Sequence, residues 1–483
     1  MLPARPNALR RPSRLIPAIV VIVVMSMPGC VAYRDQPLDA AASQQTFLRR
    51  SLDDPALRRY VHSVMGTQAG MADSWPPAEF DVPSLTVVAW YFSPDLAVSE
   101  AEADEAAATV VTAGQRPNPM LGLGPVYTIG GPPWGFGVNL DVPIETADKR
   151  TIRRVQAQAL SGAAHLRVAE VAWQVRSHLR TQLVEFFSDQ AIVDAGKAEL
   201  DAQQVLVQVH ERLVAHGMGS GVLLAQAQAE LSRLRMVHAN ALGDVRLAKA
   251  RIAQAMGLPI EARGVHEITW DGFGHPPTDV DPARVCESGL LNRLDLRRQL
   301  ARYAAAEADL RLQVAKQYPD VHLGPGWGWN ADSQQFTLGI SFDLPLNGNR
   351  GPLAEAEARR RTEAARFCAL QAQVIGQIEQ AEIAYHSACE IWTLSQRLVE
   401  EHLKLTSQAE RSVTAGAGDA VVVAQAQRQL ATVRRAQIEA LRDVQRSLTV
   451  LEDVVQRPLI PAESVPVSTD LDLPHHSSQE PSP

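Results

Sequence analysis

The sequence predicts a mainly α-helical protein that also carries membrane β-strands and is built from two duplicated halves. Three observations lead to this fold class: short blocks that recur in the same order, two pairs of segments that alternate apolar with small or polar residues, and two helical stretches of unusual length. In each half the predicted order is a helix, a β-hairpin, a very long helix and a returning helix.

The duplication is visible in three blocks. Gly217-Met218-Gly219 recurs as Gly416-Ala417-Gly418, and each is followed by the same Ala-Gln-Ala-Gln sequence. The segment Gly137–Pro143 matches Gly339–Pro345, and further upstream the sequence PNPMLG matches PDVHLG. Solenoid repeats are about 20–50 residues long, whereas this repeat spans a whole half of the chain.

The two β-hairpins are predicted at about 119–143 and about 320–345. Within each predicted strand, apolar residues alternate with glycine or polar residues, which is the period of a strand with two different faces. The apolar face of the first hairpin includes Leu121, Leu123, Trp134, Phe136 and Val138. The opposite faces of the two hairpins include Asn139, Asp141, Ser341 and Asp343.

Each hairpin is followed by a very long predicted helix, from about 147 to 214 and from 352 to about 414, with no proline in its interior. Glycine turns at about 214–222 and about 413–421 end these helices, and returning helices follow. At 1.5 Å per residue each long helix spans roughly 100 Å. Helices of this length predict a rod or a tube rather than a compact domain.

The hairpins have the pattern of membrane-barrel strands. Each strand has about ten residues, and aromatic residues lie near the strand ends, as in an aromatic girdle: Tyr127, Trp134, Trp327, Trp329 and Phe336. The alternative is a pair of amphipathic hairpins packed on soluble helices. Four strands cannot close a barrel, and an open sheet edge cannot stand in lipid. The chain is therefore expected to pool its strands with copies of itself, and a trimer gives a closed barrel of twelve.

The amino terminus has the pattern of a signal peptide, predicted at 1–29, with four arginines before an apolar run. Met27-Pro28-Gly29-Cys30 resembles a lipoprotein cleavage site, which makes Cys30 a candidate for lipidation. The alternative is an ordinary signal peptide with an incidental cysteine. The other three cysteines, Cys286, Cys368 and Cys389, have no metal-ligand spacing and are expected to be buried free thiols, with a disulfide in an oxidising periplasm as the alternative.

Five segments are predicted along the chain: the signal peptide, a leader at 30–88 with one helix near Leu52–Met65, a first repeat at 89–262, a second repeat at 263–458, and a disordered tail at 459–483. The first repeat is expected to begin with a helix from about Ser93 to Ala113, with Pro94 and Asp95 in its first turn. The proline-rich composition of the tail is the basis for expecting disorder there.

Composition and motifs exclude several functional classes. A net charge of -8 and a pI of about 5.9 argue against a nucleic-acid-binding protein. The sequence has no metalloprotease, hydrolase or P-loop motif, and its histidines form no ligand pattern. Gly217-Met218-Gly219-Ser220-Gly221 lacks the lysine that follows a phosphate-binding loop. We therefore expect no enzyme activity, no metal and no cofactor.

Local matches in the second half give a family resemblance. Tyr318-Pro319-Asp320, the run from Asp343 to Arg350, and Ala354–Arg359 are similar to segments of the TolC-type outer-membrane efflux family, as is the order of elements over about residues 90–458. This resemblance implies a homotrimer, with a twelve-strand barrel in the outer membrane of a Gram-negative bacterium and an α-helical barrel that extends into the periplasm. It also implies a periplasmic adaptor protein and an inner-membrane pump as partners, with this chain as the passive exit duct.

The resemblance assigns roles to particular residues. The two glycine turns would be periplasmic tips that dock the adaptor, through Gly217, Gly219, Val222, Gly416, Gly418 and Val421. Alternatively, they are only turns. Asp419 is a candidate for the pore gate, or else a solvated acid at a helix start.

Asn139, Asp141, Ser341 and Asp343 would line the lumen or rim of the barrel, although Asp141 and Asp343 could instead cap the next helix. Val31 after a lipidated Cys30 would favour sorting to the outer membrane and its lipid. The competing hypothesis for the whole chain is a periplasmic coiled-coil scaffold or adaptor without a barrel.

Overall fold

The computed structural model describes residues 33–65, 75–77, 79–127, 129, 133–262, 268–277, 289, 292–463 and 465. The chain divides into two compact units, Met1–Arg49 and Arg50–Pro483. In the first unit, helix α1 spans Ala40–Leu48, and the carboxylate of Asp39 caps it by accepting a bond of 2.9 Å from the amide of Ala41. The signal peptide and Cys30 lie outside the described residues.

The second unit begins with helices α2 (Pro55–Met65), α3 (Val82–Phe92) and α4 (Pro94–Ala113). Two successive sets of elements then follow, listed here in chain order: β1 (Met120–Tyr127), β2 (Trp134–Ile144), α5 (Lys149–Ala215) and α6 (Gly221–Ala255); α7 (Leu294–Ala315), β3 (Val321–Asn330), β4 (Gln334–Phe342), α8 (Arg350–Thr414) and α9 (Ala420–Val455). This order agrees with the prediction that each long helix follows a β-hairpin.

The four strands form one antiparallel sheet in the order β1-β2-β3-β4. Its register aligns apolar residues with apolar residues in all three strand pairs, for example Leu123 with Val138, and Trp327 with Phe336; at the outer end of the sheet Trp329 is aligned with Gln334. The intervening positions align glycine and polar residues, for example Gly122 with Asn139. One face of the sheet is therefore apolar and the other small or polar, as the alternation predicts.

Glycines on the polar face leave room for longer side chains from the neighbouring strand. A Cβ atom added to Gly326 would lie 2.6 Å from Oγ1 of Thr337. The amide of Asn139 occupies the space above Gly122 in the same way. A larger residue at either position would displace the polar side chain opposite, so these glycines preserve the polar face.

The long helices join the two halves of the second unit. Helix α5 has 67 residues and packs against α4 and α6 of the first half and against α7 and α9 of the second half. Helix α8 has 65 residues and packs against α7 and α9. Apolar clusters form where helices meet, one around α3, α5 and α6 and another around α7, α8 and α9. Among the helices in the described residues, none combines the length and apolarity that a membrane span requires.

The leader differs from the prediction of a single helix. Helix α1 and helix α3 are additional, and α3 crosses the expected boundary between residues 88 and 89. Side chains of α3 are buried around nearly its whole circumference, including Leu85, Val87 and Val88. A helix buried on all sides has no amphipathic period, so its sequence does not show the pattern by which α5 was predicted.

The prediction of a disordered tail is wrong for the first residues of that segment. Residues Pro461–Glu463 form a 3-10 turn, and the carboxylate of Glu463 is buried against Arg180 and Trp270. These contacts hold the segment against α5. Residues 466–483 lie outside the described part of the chain.

The cysteines differ in part from the prediction of buried free thiols. Cys368 is exposed and Cys389 is half-buried; both are free thiols, but neither is fully buried as expected. Cys286 lies outside the described residues.

Candidate functional site

The first helical tip, between α5 and α6, reverses through a defined backbone motif. Gly217 has φ +73°, in the left-handed region. The amide of Gly217 donates to the carbonyl of Val214 at 3.0 Å, and the amide of Met218 donates to that of Leu213 at 2.9 Å. These two bonds form a Schellman motif, which requires a residue that tolerates positive φ.

The second tip, between α8 and α9, repeats this geometry. Gly416 has φ +74°, and its amide donates to the carbonyl of Val413 at 2.9 Å. The amide of Ala417 donates to the carbonyl of Ser412 at 3.0 Å. The two tips are thus matched in backbone conformation even though the residues after the first glycine differ.

The second glycine of each tip is required by close packing instead of by its dihedral angle. A Cβ atom on Gly219 would lie 2.8 Å from the amide nitrogen of Val214, and one on Gly418 would lie 2.7 Å from that of Val413. Because the obstructing atoms are backbone, the turn could not accommodate alanine without opening. The four glycines are therefore explained by the geometry of the turn.

The tips differ in the side chains that they expose. The first presents an apolar patch, which we call the tip patch, consisting of Met218, Val222 and Leu223, with exposed fractions of 73%, 67% and 49%. At the second tip, the residue matching Val222 is Val421, which is half-buried. Asp419 is the N-cap of α9, and its carboxylate accepts a bond of 2.9 Å from the amide of Val421. The helix-start interpretation of Asp419 is thus confirmed.

The polar face of the sheet contains a contact between a histidine and an aspartate that the local sequence pattern does not reveal. Nδ1 of His322 on β3 lies 3.0 Å from Oδ1 of Asp141 on β2. Ser341 on β4 is the residue aligned with His322, and Asn139 lies on the same face nearer the strand turn. Asp141 therefore pairs across the two halves of the chain.

The alternative that Asp141 and Asp343 cap helices is wrong. The N-cap of α5 is Asp148 and that of α8 is Asn349. Asp141 is instead held by His322, and Asp343 is exposed beyond the end of β4. The prolines that follow these two acids suggested caps, but the helices begin several residues later.

Helix ends meet the sheet at a level that we call the junction: the ends of α4 and α7 and the starts of α5 and α8. Nζ of Lys149, the first residue of α5, donates to the carbonyl of Tyr318 after α7 at 2.6 Å and pairs with Asp320 at 2.7 Å. Nε of Arg150 donates to the carbonyl of Gly114, the C-cap of α4, at 2.5 Å. The start of α5 is therefore bonded to the ends of α4 and α7, the two helices that precede the β-hairpins.

The start of α8 is bonded to the same level. Nδ2 of Asn349 donates to the carbonyl of Gln313, near the end of α7, at 2.8 Å. Burial raises the pKa of Asp320, but hydrogen bonds from Lys149 and Thr146 outweigh it, and the net pKa is lowered. The Asp320 carboxylate thus stays charged in mildly acidic conditions, which preserves its pair with Lys149.

A buried ion cluster joins the two halves farther along α5. Nε of Arg180 lies 2.9 Å from Glu463 and 3.3 Å from Glu452, and Nη1 of Arg176 lies 3.1 Å from Glu452. The ring nitrogen of Trp270 donates to Glu463 at 2.9 Å. All four charged side chains are at most 5% exposed. The sequence does not predict this cluster, whose only local signal is the placement of Arg176 and Arg180 one helical turn apart.

The fold and these sites define a class of protein in which amphipathic β-hairpins are joined to two long helical hairpins. Solved structures of outer-membrane channels share the fold. They include OprN (18% identity, TM-score 0.65, 77% of this chain and 89% of that chain), VceC of Vibrio cholerae (18%, 0.63, 78% and 97%) and CmeC of Campylobacter jejuni (14%, 0.61, 77% and 85%). No curated protein matches the sequence significantly.

The family follows from the sequence itself. The family model of the outer membrane efflux protein matches residues 91–258 and 285–455, which together cover most of the chain. The chain therefore belongs to the outer membrane efflux protein family. It is an exit duct of the outer membrane, as the resemblance in the second half of the sequence predicts.

Proposed function

We propose that this protein works as a passive homotrimer, in which three sheets close into a twelve-strand barrel. The observation that carries this proposal is the open sheet: β1 and β4 each pair with one strand only within the described residues, and β4 is exposed throughout its length. Unpaired edges are not tolerated in lipid. Edge-to-edge pairing of β1 with β4 of a neighbouring copy removes both.

The oligomeric state in detergent tests this closure. Protein extracted from membranes should migrate as a trimer without heating and as a monomer after boiling, because the pairing of strands between copies must melt before the chains separate. A control variant should change the exposed surface far from the sheet, such as Lys404→Gln on α8, and should leave the trimer intact. A monomer in unheated samples would contradict the proposal.

The four long helices α5, α6, α8 and α9 would continue the barrel as a tube of twelve helices across the periplasm. Transport energy would come from an inner-membrane pump, because the sequence has no nucleotide-binding motif. An adaptor protein would join pump and duct. The anchoring lipid would be attached at Cys30, and a Cys30→Ser variant that still incorporates labelled palmitate would contradict that anchor.

We place adaptor docking at the tips. Docking requires a surface that is solvated in the free duct and apolar enough to be buried on contact, and the tip patch has both properties. Replacing Met218 and Val222 with glutamate would place charges in the contact, and at least about a tenfold loss of co-purified adaptor is expected.

The matched control is Met236→Glu with Val205→Glu, two residues that are also exposed on α6 and α5 but lie away from the tip. This control should retain the adaptor if the tip is the docking site. Equal loss in both double variants would show a general effect of acidic substitutions and contradict docking at the tip patch.

Asp419 is proposed as a ring of three carboxylates at the periplasmic entrance. Asn is as good an N-cap as Asp, so Asp419→Asn removes the charge and keeps the hydrogen bond to the amide of Val421. The expected result is lower selectivity for cations over anions in a planar bilayer, with unchanged thermal stability. Reversal potentials identical to those of the parent would contradict a role for this carboxylate in the pore.

A further inference from the structure

Basic residues are excluded from the sheet segments and resume immediately outside them. Residues 117–148 and 319–349, which contain all four strands, include no lysine or arginine. The basic residues that lie within three positions of these segments are Arg116, Lys149, Arg150, Lys316 and Arg350. Each of the four passages between helix and sheet therefore has a basic residue at its helical side.

The structure brings these four passages to one level. The bonds of Lys149 to Tyr318 and of Arg150 to Gly114 tie the start of α5 to the ends of α7 and α4. The bond of Asn349 to Gln313 ties the start of α8 to α7. Basic residues that are distant in sequence thus lie in a single layer at the junction.

Most of this charge is not neutralised within the chain. Five basic side chains at this level are exposed, and we call them the basic collar. They are four of the flanking residues, Arg116, Arg150, Lys316 and Arg350, together with Arg154, which lies one turn into α5 beside Gly114. None of the five forms an ion pair with a carboxylate in the described residues; Arg150 donates only to a backbone carbonyl. Lys149 and Arg153 are different, because they pair with Asp320 and Glu145.

Acidic residues at the same level do not balance the collar. With Asp320 and Glu145 already paired, the exposed acids next to the strands are Asp148 and Asp343. Glu355 lies as far into α8 as Arg154 lies into α5, but it is paired with Arg359. Five cations less two acids leave a net charge of +3 for each chain at this level, in a chain whose total charge is -8. The charge of the junction is thus opposite to that of the whole protein.

Helix stability does not explain this placement. Cations at a helix N-terminus oppose the helix dipole, yet α5 begins with Lys149-Arg150 and α8 begins with Arg350, and neither helix has an acidic residue in its first turn. The collar also lies just beyond Ile144, Val321 and Phe342, where the apolar face of the sheet ends on the helical side. A layer of cations next to a lipid-facing apolar surface is at the depth of headgroups.

We propose that the basic collar binds the phosphate groups of anionic phospholipids in the leaflet that faces the helices. This inference rests on the proposed function for the position of the sheet in the membrane. Lysine and arginine form charge-assisted hydrogen bonds with phosphate oxygens, and their flexible stems can reach the headgroup layer from the junction. Each basic residue near an anionic surface contributes about fivefold in affinity, so the five together set a clear preference for anionic over zwitterionic lipid.

The test is competition between two lipids for the purified trimer. Delipidated protein in detergent is incubated with equal amounts of phosphatidylglycerol and phosphatidylcholine that have the same acyl chains, and bound lipid is counted by native mass spectrometry. The parent should retain at least about tenfold more phosphatidylglycerol. The variant with Arg116, Arg150, Arg154, Lys316 and Arg350 all replaced by glutamine should retain the two lipids about equally.

A matched control removes the same charge elsewhere. Arg235, Arg246, Arg397, Lys404 and Arg411 are exposed on the long helices, and none pairs with a carboxylate in the described residues. Their replacement with glutamine should leave the lipid preference unchanged. If the collar variant does not assemble, salt provides a second test on the parent: about 1 M salt shortens the screening length to about 3 Å and should abolish the preference.

The outcomes separate this inference from the proposed function. A parent that forms a conducting trimer but retains both lipids equally, or a collar variant that keeps the parent's preference, would overturn the collar alone. Equal loss in the collar and control variants would also overturn it, since net charge would then explain the effect. A parent that does not insert into bilayers would contradict the proposed function and, with it, the position on which the collar depends.

Discussion

Replacing Arg180 with leucine should lower the free energy of unfolding by about 3–5 kcal/mol. Arg180 is 0% exposed, and its guanidinium lies within 3.3 Å of the carboxylates of both Glu452 and Glu463. Without this guanidinium, two buried carboxylates would share Arg176 as their only cation among the described residues. An uncompensated buried charge is costly because it has lost its hydration. The measurement is the apparent melting temperature of the trimer.

Two further variants make this result specific. Arg233→Leu removes an arginine from an ion pair with Glu230 that is largely exposed, and it should cost less than about 1 kcal/mol. Combining Arg180→Leu with Glu463→Leu removes one carboxylate together with the guanidinium and should recover part of the lost stability. A melting temperature for Arg180→Leu equal to that of Arg233→Leu would show that the cluster does not hold the two halves together.

Replacing Gly257 with alanine is the second change expected to have a large effect, about 2–4 kcal/mol of lost stability. Gly257 follows the end of α6 with φ +68°, and an added Cβ atom would lie 2.5 Å from the carbonyl oxygen of Phe92. That oxygen and the carbonyl of Gly257 both accept bonds from Arg50, at 3.1 and 2.8 Å. Alanine would therefore strain its own backbone and separate two segments that Arg50 joins.

The matched control is Gly243→Ala, within α6. No atom would lie within 4 Å of its added Cβ atom, and alanine is the better helix former by about 1 kcal/mol. This variant should raise the melting temperature slightly, whereas Gly257→Ala should lower it. Shifts of the same sign in the two variants would contradict the close approach of Gly257 to Phe92.

The sequence was sufficient for features that depend on local pattern. Alternation of apolar residues with glycine and polar residues predicted the strands and their faces, and the register now aligns Asn139 with Gly122 and Ser341 with His322. Long intervals without interior proline predicted α5 and α8. Glycine pairs predicted both tips, because a helix end in left-handed conformation favours glycine strongly.

Features that depend on contacts between distant residues were not predictable. Arg176 and Glu452 are 276 positions apart, and Asp141 and His322 are 181 apart. No periodicity in a single segment records which distant acid an arginine will meet. Helix α3 was missed for a different reason: burial on all sides removes the polar face from which a helix is recognised.

The most direct test of the duct is conductance in a planar lipid bilayer. Purified trimer should insert and produce stable, stepwise ionic currents, since a closed twelve-strand barrel continued by a tube of helices encloses a water-filled path. A denatured sample should produce none. Protein that is soluble without detergent and adds no conductance to the bilayer would contradict the duct and favour a periplasmic scaffold.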